Sequence, residues 1–134
     1  MVEVVNRQRR LKLDTEAWSN FAARALDAIG KSESSATIAF VSDKRIRGLN
    51  RQFRGVDKAT DVLSFPAEEK LNLGDIAVSV ETAAMQAKEN GLTFDGEIAQ
   101  LILHGLLHLC GYDHETDNGE MNRLELKLRK RLGV

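Results

Sequence analysis

"FDGEIAQLILHGLLHLC", residues 94 to 110, is the stretch on which the reading of this fold turns. Ile98, Ala99, Leu101, Ile102, Leu103, Leu106, Leu107 and Leu109 place apolar side chains on nearly every side of a helix. A surface helix carries one apolar stripe, whereas one that is apolar all round is buried, so the rest of the chain has to pack around it. Two polar residues interrupt this helix near its end, His104 and His108. Four positions apart, they share a face and lie about one turn, ~6 Å along the axis, from each other. Gly111 follows, able to take a positive φ and end the helix in a sharp turn. The turn is expected to return His114 over the same face.

All three histidines of the chain therefore fall within "HGLLHLCGYDH", residues 104 to 114. Two imidazoles on a buried helix are costly to desolvate without a shared partner. A divalent ion is such a partner, and the spacing matches the histidines of the zinc-protease pattern H-E-x-x-H-x-x-G-x-x-H. His104, His108 and His114 are thus the expected metal ligands, with zinc the expected ion and other divalent metals possible. Three neutral imidazoles leave a fourth position open, as in catalytic zinc sites. Gly105 stands where the protease glutamate would be, so peptide hydrolysis by that route lacks its general base. An ion there can still activate water. Cys110, the only cysteine, lies on the opposite side of the helix from His108 and reads as core packing rather than a fourth ligand. Asp113 either orients a ligand histidine or serves the turn.

Outward from this helix, the chain alternates short strands and helices. Strands are expected at 2–6, 36–42, 61–66 and 74–80, from β-branched content and turn residues. A helix within 13–30, capped by Asp14 or Thr15 and ended by Gly30, buries Trp18, Phe21, Ala22, Ala25, Leu26 and Ile29. A second, 42–54, turns Ile46, Leu49 and Phe53 inward and its basic side chains outward. A third, 80–90, is capped by Ser79 and stopped by Gly91, and a last one spans 117–132. Residues 67–73 are a polar connection. The pattern predicts one α+β (α/β-type) domain over residues 1–134. A single small mixed sheet packs with about five helices, and the metal site lies at the end of the buried one.

The chain's 134 residues suffice for one core but not comfortably for two. A 43% hydrophobic and 29% charged composition is that of a soluble globular protein. The N-terminus lacks a secretory pattern, no apolar run is long enough to span a bilayer, and a lone cysteine suits a reducing cytoplasm. The net charge of −1 announces no nucleic-acid binder. Its distribution says more. Lys44, Arg45, Arg47, Arg51, Arg54 and Lys58 crowd one segment against Asp57 alone, while acidic residues gather after the histidines. Guanidinium groups bind phosphate bidentately, and cleaving a phosphodiester requires its developing charge to be neutralised. Arg54, at the junction of helix and loop, is placed to point inward. Asp61 and Ser64 flank an apolar strand and are expected to tie the loop down.

"LNRQFRGVDKATDVLSFP", "LGDIAVSVETA" and "HGLLHLCGYDH", in this order and in a chain of this length, resemble the YbeY family of bacterial rRNA maturation factors. The resemblance implies a metal-dependent endoribonuclease directed at single strands, acting on RNA and not DNA, in maturation of the small-subunit rRNA 3′ end and in ribosome quality control. It implies zinc at His104, His108 and His114 and an active-site arginine at Arg54. Lys44, Arg45, Arg47, Arg51 and Lys58 would then hold RNA through its phosphates, and partners would be the small ribosomal subunit or its assembly factors. The chain departs from the family pattern at Phe53, where tyrosine is more usual, and at Ala59, where proline is. Two other readings compete: a non-catalytic assembly factor with structural zinc, and a metallopeptidase, which Gly105 disfavours.

Overall fold

The structure is a computed structural model and describes residues 1–113 and 115–134. Among them the chain forms four strands and five helices: β1 (Val2–Asn6), α1 (Thr15–Ile29), β2 (Ser35–Val41), α2 (Asp43–Arg54), β3 (Val62–Pro66), β4 (Asn72–Ser79), α3 (Val80–Asn90), α4 (Phe94–Leu109) and α5 (Glu120–Leu132). The strands make one mixed sheet of order β1-β2-β4-β3, in which β1, β2 and β4 run parallel and β3 is an antiparallel edge. This is the expected α+β architecture. None of the described helices is long and apolar enough to cross a membrane.

Alternation along β2 sorts its side chains onto two faces. Ala36, Ile38 and Phe40 enter the main core, while Thr37 and Ala39 are half-buried on the other face. Parallel β1 and β2 cannot be joined by a hairpin, and α1 supplies the crossover. The Asp14 carboxylate caps α1 by accepting from the Ala17 N–H at 3.0 Å, which decides between the two candidate caps. Phe21, Ala22, Ala25 and Leu26 are the buried stripe.

Helix α4 lies at the centre, against β3 and β4, with α1, α3 and α5 around it. Its residues from Glu97 to Leu109 are buried except Gln100, His104 and His108. Where α4 approaches β4 the fit is tight even for a methyl group. A Cβ on Gly105 would sit 3.0 Å from Ile76 Cδ1 and 3.1 Å from its Cγ2. The histidine-bearing turn is thereby set close against the sheet.

Four expectations needed adjustment. Asn72 and Leu73 belong to β4, because Asn72 pairs with Ser35 across a register shift, beyond the alternating stretch. There Gly74 takes φ 127°, and a Cβ would run into the carbonyl oxygen of Phe65 and the amide nitrogen of Ala67. Ser42 and Asp61 lie just outside the strands assigned to them. Ser42 instead caps α2, accepting from the Arg45 N–H at 3.2 Å. Helix α5 begins at Glu120, because the Asp117 carboxylate gathers the N–H groups of Gly119 and Met121 at 2.8 and 2.9 Å into a capping loop. Finally, Phe53 does not turn inward. It is 59% exposed and packs edge-on against Phe65 of the edge strand, with ring centroids 5.2 Å apart. Asn50 takes a buried place in α2 beside Ile46, donating to the Lys58 carbonyl at 2.9 Å.

Candidate metal centre and active-site cleft

His104 and His108 emerge from the last two turns of α4, each half-buried. The Nδ1 of His108 lies 2.9 Å from the Tyr112 carbonyl oxygen. A carbonyl only accepts, so that nitrogen carries the proton and Nε2 presents a lone pair. Gly111, at φ 97°, makes the turn that brings the carbonyl there. The Nδ1 of His104 lies 2.8 Å from Glu125 Oε1 of α5. This bond holds the His104 imidazole above its usual pKa, against the opposing effect of burial. The two Nε2 atoms face each other 3.1 Å apart. With both Nδ1 atoms engaged outward, a contact this short is satisfied either by a second proton on one ring or by a cation shared between the two. Two nitrogens on one tetrahedral zinc at ~2.0–2.1 Å lie about 3.3 Å apart, so the pair fits such an ion with little adjustment. The third histidine of the pattern, His114, lies outside the described residues. Among the described residues no three His, Cys, Asp or Glu side chains converge on one ion.

The histidine pair opens onto a cleft of about 510 Å³. Arg54, Asp61, Ser64, Tyr112, Asp113 and Glu115 share its lining with them. Arg54 is the last residue of α2, exposed, and held at the rim because Gly55 ends the helix at φ 71°. On β3, alternation directs Ser64 and Pro66 to the cleft, and Phe65 to the opposite side. Asp61 and Ser64, expected to tie the loop down, make their contacts around β3. Asp61 Oδ1 accepts from the Val62 N–H at 2.7 Å, and its carbonyl accepts from the Ser79 N–H at 2.9 Å. Ser64 Oγ reaches the Gly105 carbonyl at 3.4 Å, bridging wall and histidine helix. Asp113 serves the turn, its carboxylate accepting from the Glu115 N–H at 3.0 Å.

The remaining basic residues stay outside this cleft. Lys44, Arg45, Arg47, Arg51 and Lys58 are exposed on α2 and the loop after it. Arg47 pairs with Asp57 through two hydrogen bonds of 2.8 and 3.2 Å, which hold the Asp57 carboxyl below its usual pKa. Arg45 lines a groove on the other face of the sheet, with Leu49, Phe53 and Phe65. Cys110 is half-buried in a hollow with Ile29, Lys31 and Tyr112, and burial raises its thiol pKa. It takes no part in the histidine cleft. The position of the missing protease glutamate faces Ile76, so a carboxylate there would be directed at β4. Two partners of the histidines had no sequence signal: Glu125 is one of two acids in a mostly basic helix, with nothing local to direct it at His104, and Tyr112 contributes only its backbone.

Fold and cleft define a small α+β protein in which the buried helix α4 brings a histidine pair to a cleft and the end of α2 brings an arginine to its rim. A family model described as Endoribonuclease YbeY matches residues 3–133. The chain belongs to that family. A relative from Koribacter versatilis (strain Ellin345), named Endoribonuclease YbeY, is 45% identical over 96% of this chain and 84% of its own length. Another of that name, from Nautilia profundicola, is 50% identical over 77% of this chain and 76% of its own. A Thermotoga maritima protein solved in solution superposes with a TM-score of 0.71 at 30% identity, covering 98% of this chain and 89% of that one.

Proposed function

We propose that this protein is a zinc-dependent endoribonuclease that cuts single-stranded RNA in the histidine cleft. The observation that carries the reading is convergence: Arg54 and the His104–His108 pair, far apart in sequence, open onto one cleft. His104 and His108 would hold the ion through Nε2, with His114 joining them on the spacing of the motif. The bound ion supplies Lewis acidity toward a phosphoryl oxygen and lowers the pKa of water. Arg54 contributes what the histidines lack, a fixed positive charge whose planar donors match two phosphate oxygens at once. Asp61 and Ser64 keep β3 in place as the wall between arginine and ion. Lys44, Arg45, Arg51 and Lys58 extend positive potential away from the rim and hold the strand through its phosphates. Arg47 contributes less, because Asp57 already neutralises it.

The family resemblance supports ribosomal RNA as the substrate, at the 3′ end of the small-subunit rRNA. It also supports the small subunit or its assembly factors as partners, in the cytoplasm. The test is cleavage of labelled single-stranded and duplex RNA by purified zinc-loaded protein. Single strands should be cut internally, a chelator should stop the reaction, and zinc should restore it. Undiminished cleavage in excess chelator would overturn the metal dependence, and no cleavage of any RNA would favour a non-catalytic role. Mapping of small-subunit rRNA ends in cells depleted of the protein tests the substrate.

A further inference from the structure

We infer that Glu125 is a positioning residue for the metal centre, acting through His104; this rests on the metal reading above. Helix α5 buries Met121 and Leu128 at 1% and 2% exposure, and Glu125 lies between them on the same face, at i+4 from the first and i−3 from the second. A carboxylate on a buried stripe is costly unless it is paired. Its partner is His104, with Oε1 2.8 Å from Nδ1, and their side chains are 19% and 30% exposed. Packing of Met121 and Leu128 therefore aims the carboxylate at one atom of a predicted ligand.

The contact does two things. It fixes the Nδ1–H tautomer, so that Nε2 keeps its lone pair toward His108, 3.1 Å away. It also fixes the orientation of the ring and makes Nε2 a stronger donor, as carboxylate partners of ligand histidines do. His108 receives the matching restraint from the Tyr112 carbonyl. The pair is thus held by one acceptor from the turn after α4 and one from a separate helix, so α5 becomes part of the centre without supplying a ligand.

Zinc affinity by chelator competition, and the tautomer of His104 by ¹⁵N NMR of the metal-free protein, test this in wild type, Glu125→Leu and Glu125→Gln. Leucine suits the buried stripe but leaves His104 without its acceptor, so Glu125→Leu should lower the metal-free thermal midpoint modestly while losing about 10- to 100-fold in zinc affinity and giving mixed tautomers. Glu125→Gln keeps an acceptor without charge and should fall between. Wild-type affinity and an unchanged tautomer in Glu125→Leu would overturn the inference and leave the metal reading standing. A wild-type protein that binds no zinc would overturn both. A role only in tethering α5 would lower the midpoint and leave the tautomer as it was.

Discussion

Arg54 differs from its basic neighbours by where the helix ends. Gly55 takes φ 71°, closing α2 so that Arg54 reaches the histidine cleft, while Arg45 faces the groove on the other side of the sheet. Arg54→Ala should leave zinc content and fold unchanged and slow single-turnover RNA cleavage at saturating protein about 100-fold, equivalent to ~3 kcal/mol for a preorganised donor. Arg54→Lys should recover only part of this, since an ammonium cannot copy the fork. Arg45→Ala should instead weaken binding and leave the saturated rate alone, with the salt slope lowered by about one phosphate contact. Equal saturated rates for Arg54→Ala and wild type would reduce Arg54 to a surface residue. The sequence singled out Arg54 among six basic residues only by its place at a helix end, and the distinction became physical when the fold put β3 between the two surfaces.

At the scale of elements, the approach of α4 to β4 determines how the histidines are presented. Gly105 lies against Ile76, and an added Cβ would come within 3.0 Å of Ile76 Cδ1. Gly105→Ala would gain about 1 kcal/mol in helix propensity, yet overpacking a core contact costs about 1–3 kcal/mol, so a net loss of about 1 kcal/mol is expected by urea denaturation. Ile76→Val removes the Cδ1 atom, and in that background the same change should cost at least ~0.5 kcal/mol less. Additivity of the two substitutions would mean that the contact is not felt. The missing protease glutamate was evident in the sequence, but that its position faces the sheet was not. Periodicity identified α4 as buried without saying which neighbour covers which residue. Phe53 shows the same limit. Its spacing from Ile46 and Leu49 suggested core, but the last turn of α2 reaches only the edge strand, where Phe65 is its partner.

At the scale of the whole molecule, a site shared by elements that meet only on folding would link the proposed metal binding to stability. The described part of the site draws on α4, the turn after it and α5, so zinc should bind the folded chain in preference to the unfolded one. At 100 times its dissociation constant, zinc would add about 2.7 kcal/mol, raising the thermal midpoint by several degrees. A chelator should reverse the shift, and His108→Ala should abolish it while retaining well under one equivalent of metal after dialysis. An identical midpoint with and without zinc would contradict this assignment. By itself the sequence determined the order of strands and helices, the buried helix and the spacing of its histidines. It also placed most caps and stops, because those depend on local periodicity, side-chain chemistry and glycine. Only the tertiary structure decided the sheet order β1-β2-β4-β3, the sharing of one cleft by Arg54 with the histidines, and the pairing of Glu125 with His104. Those relations join residues distant along the chain, and they are set by which faces pack together, a property that no local pattern carries.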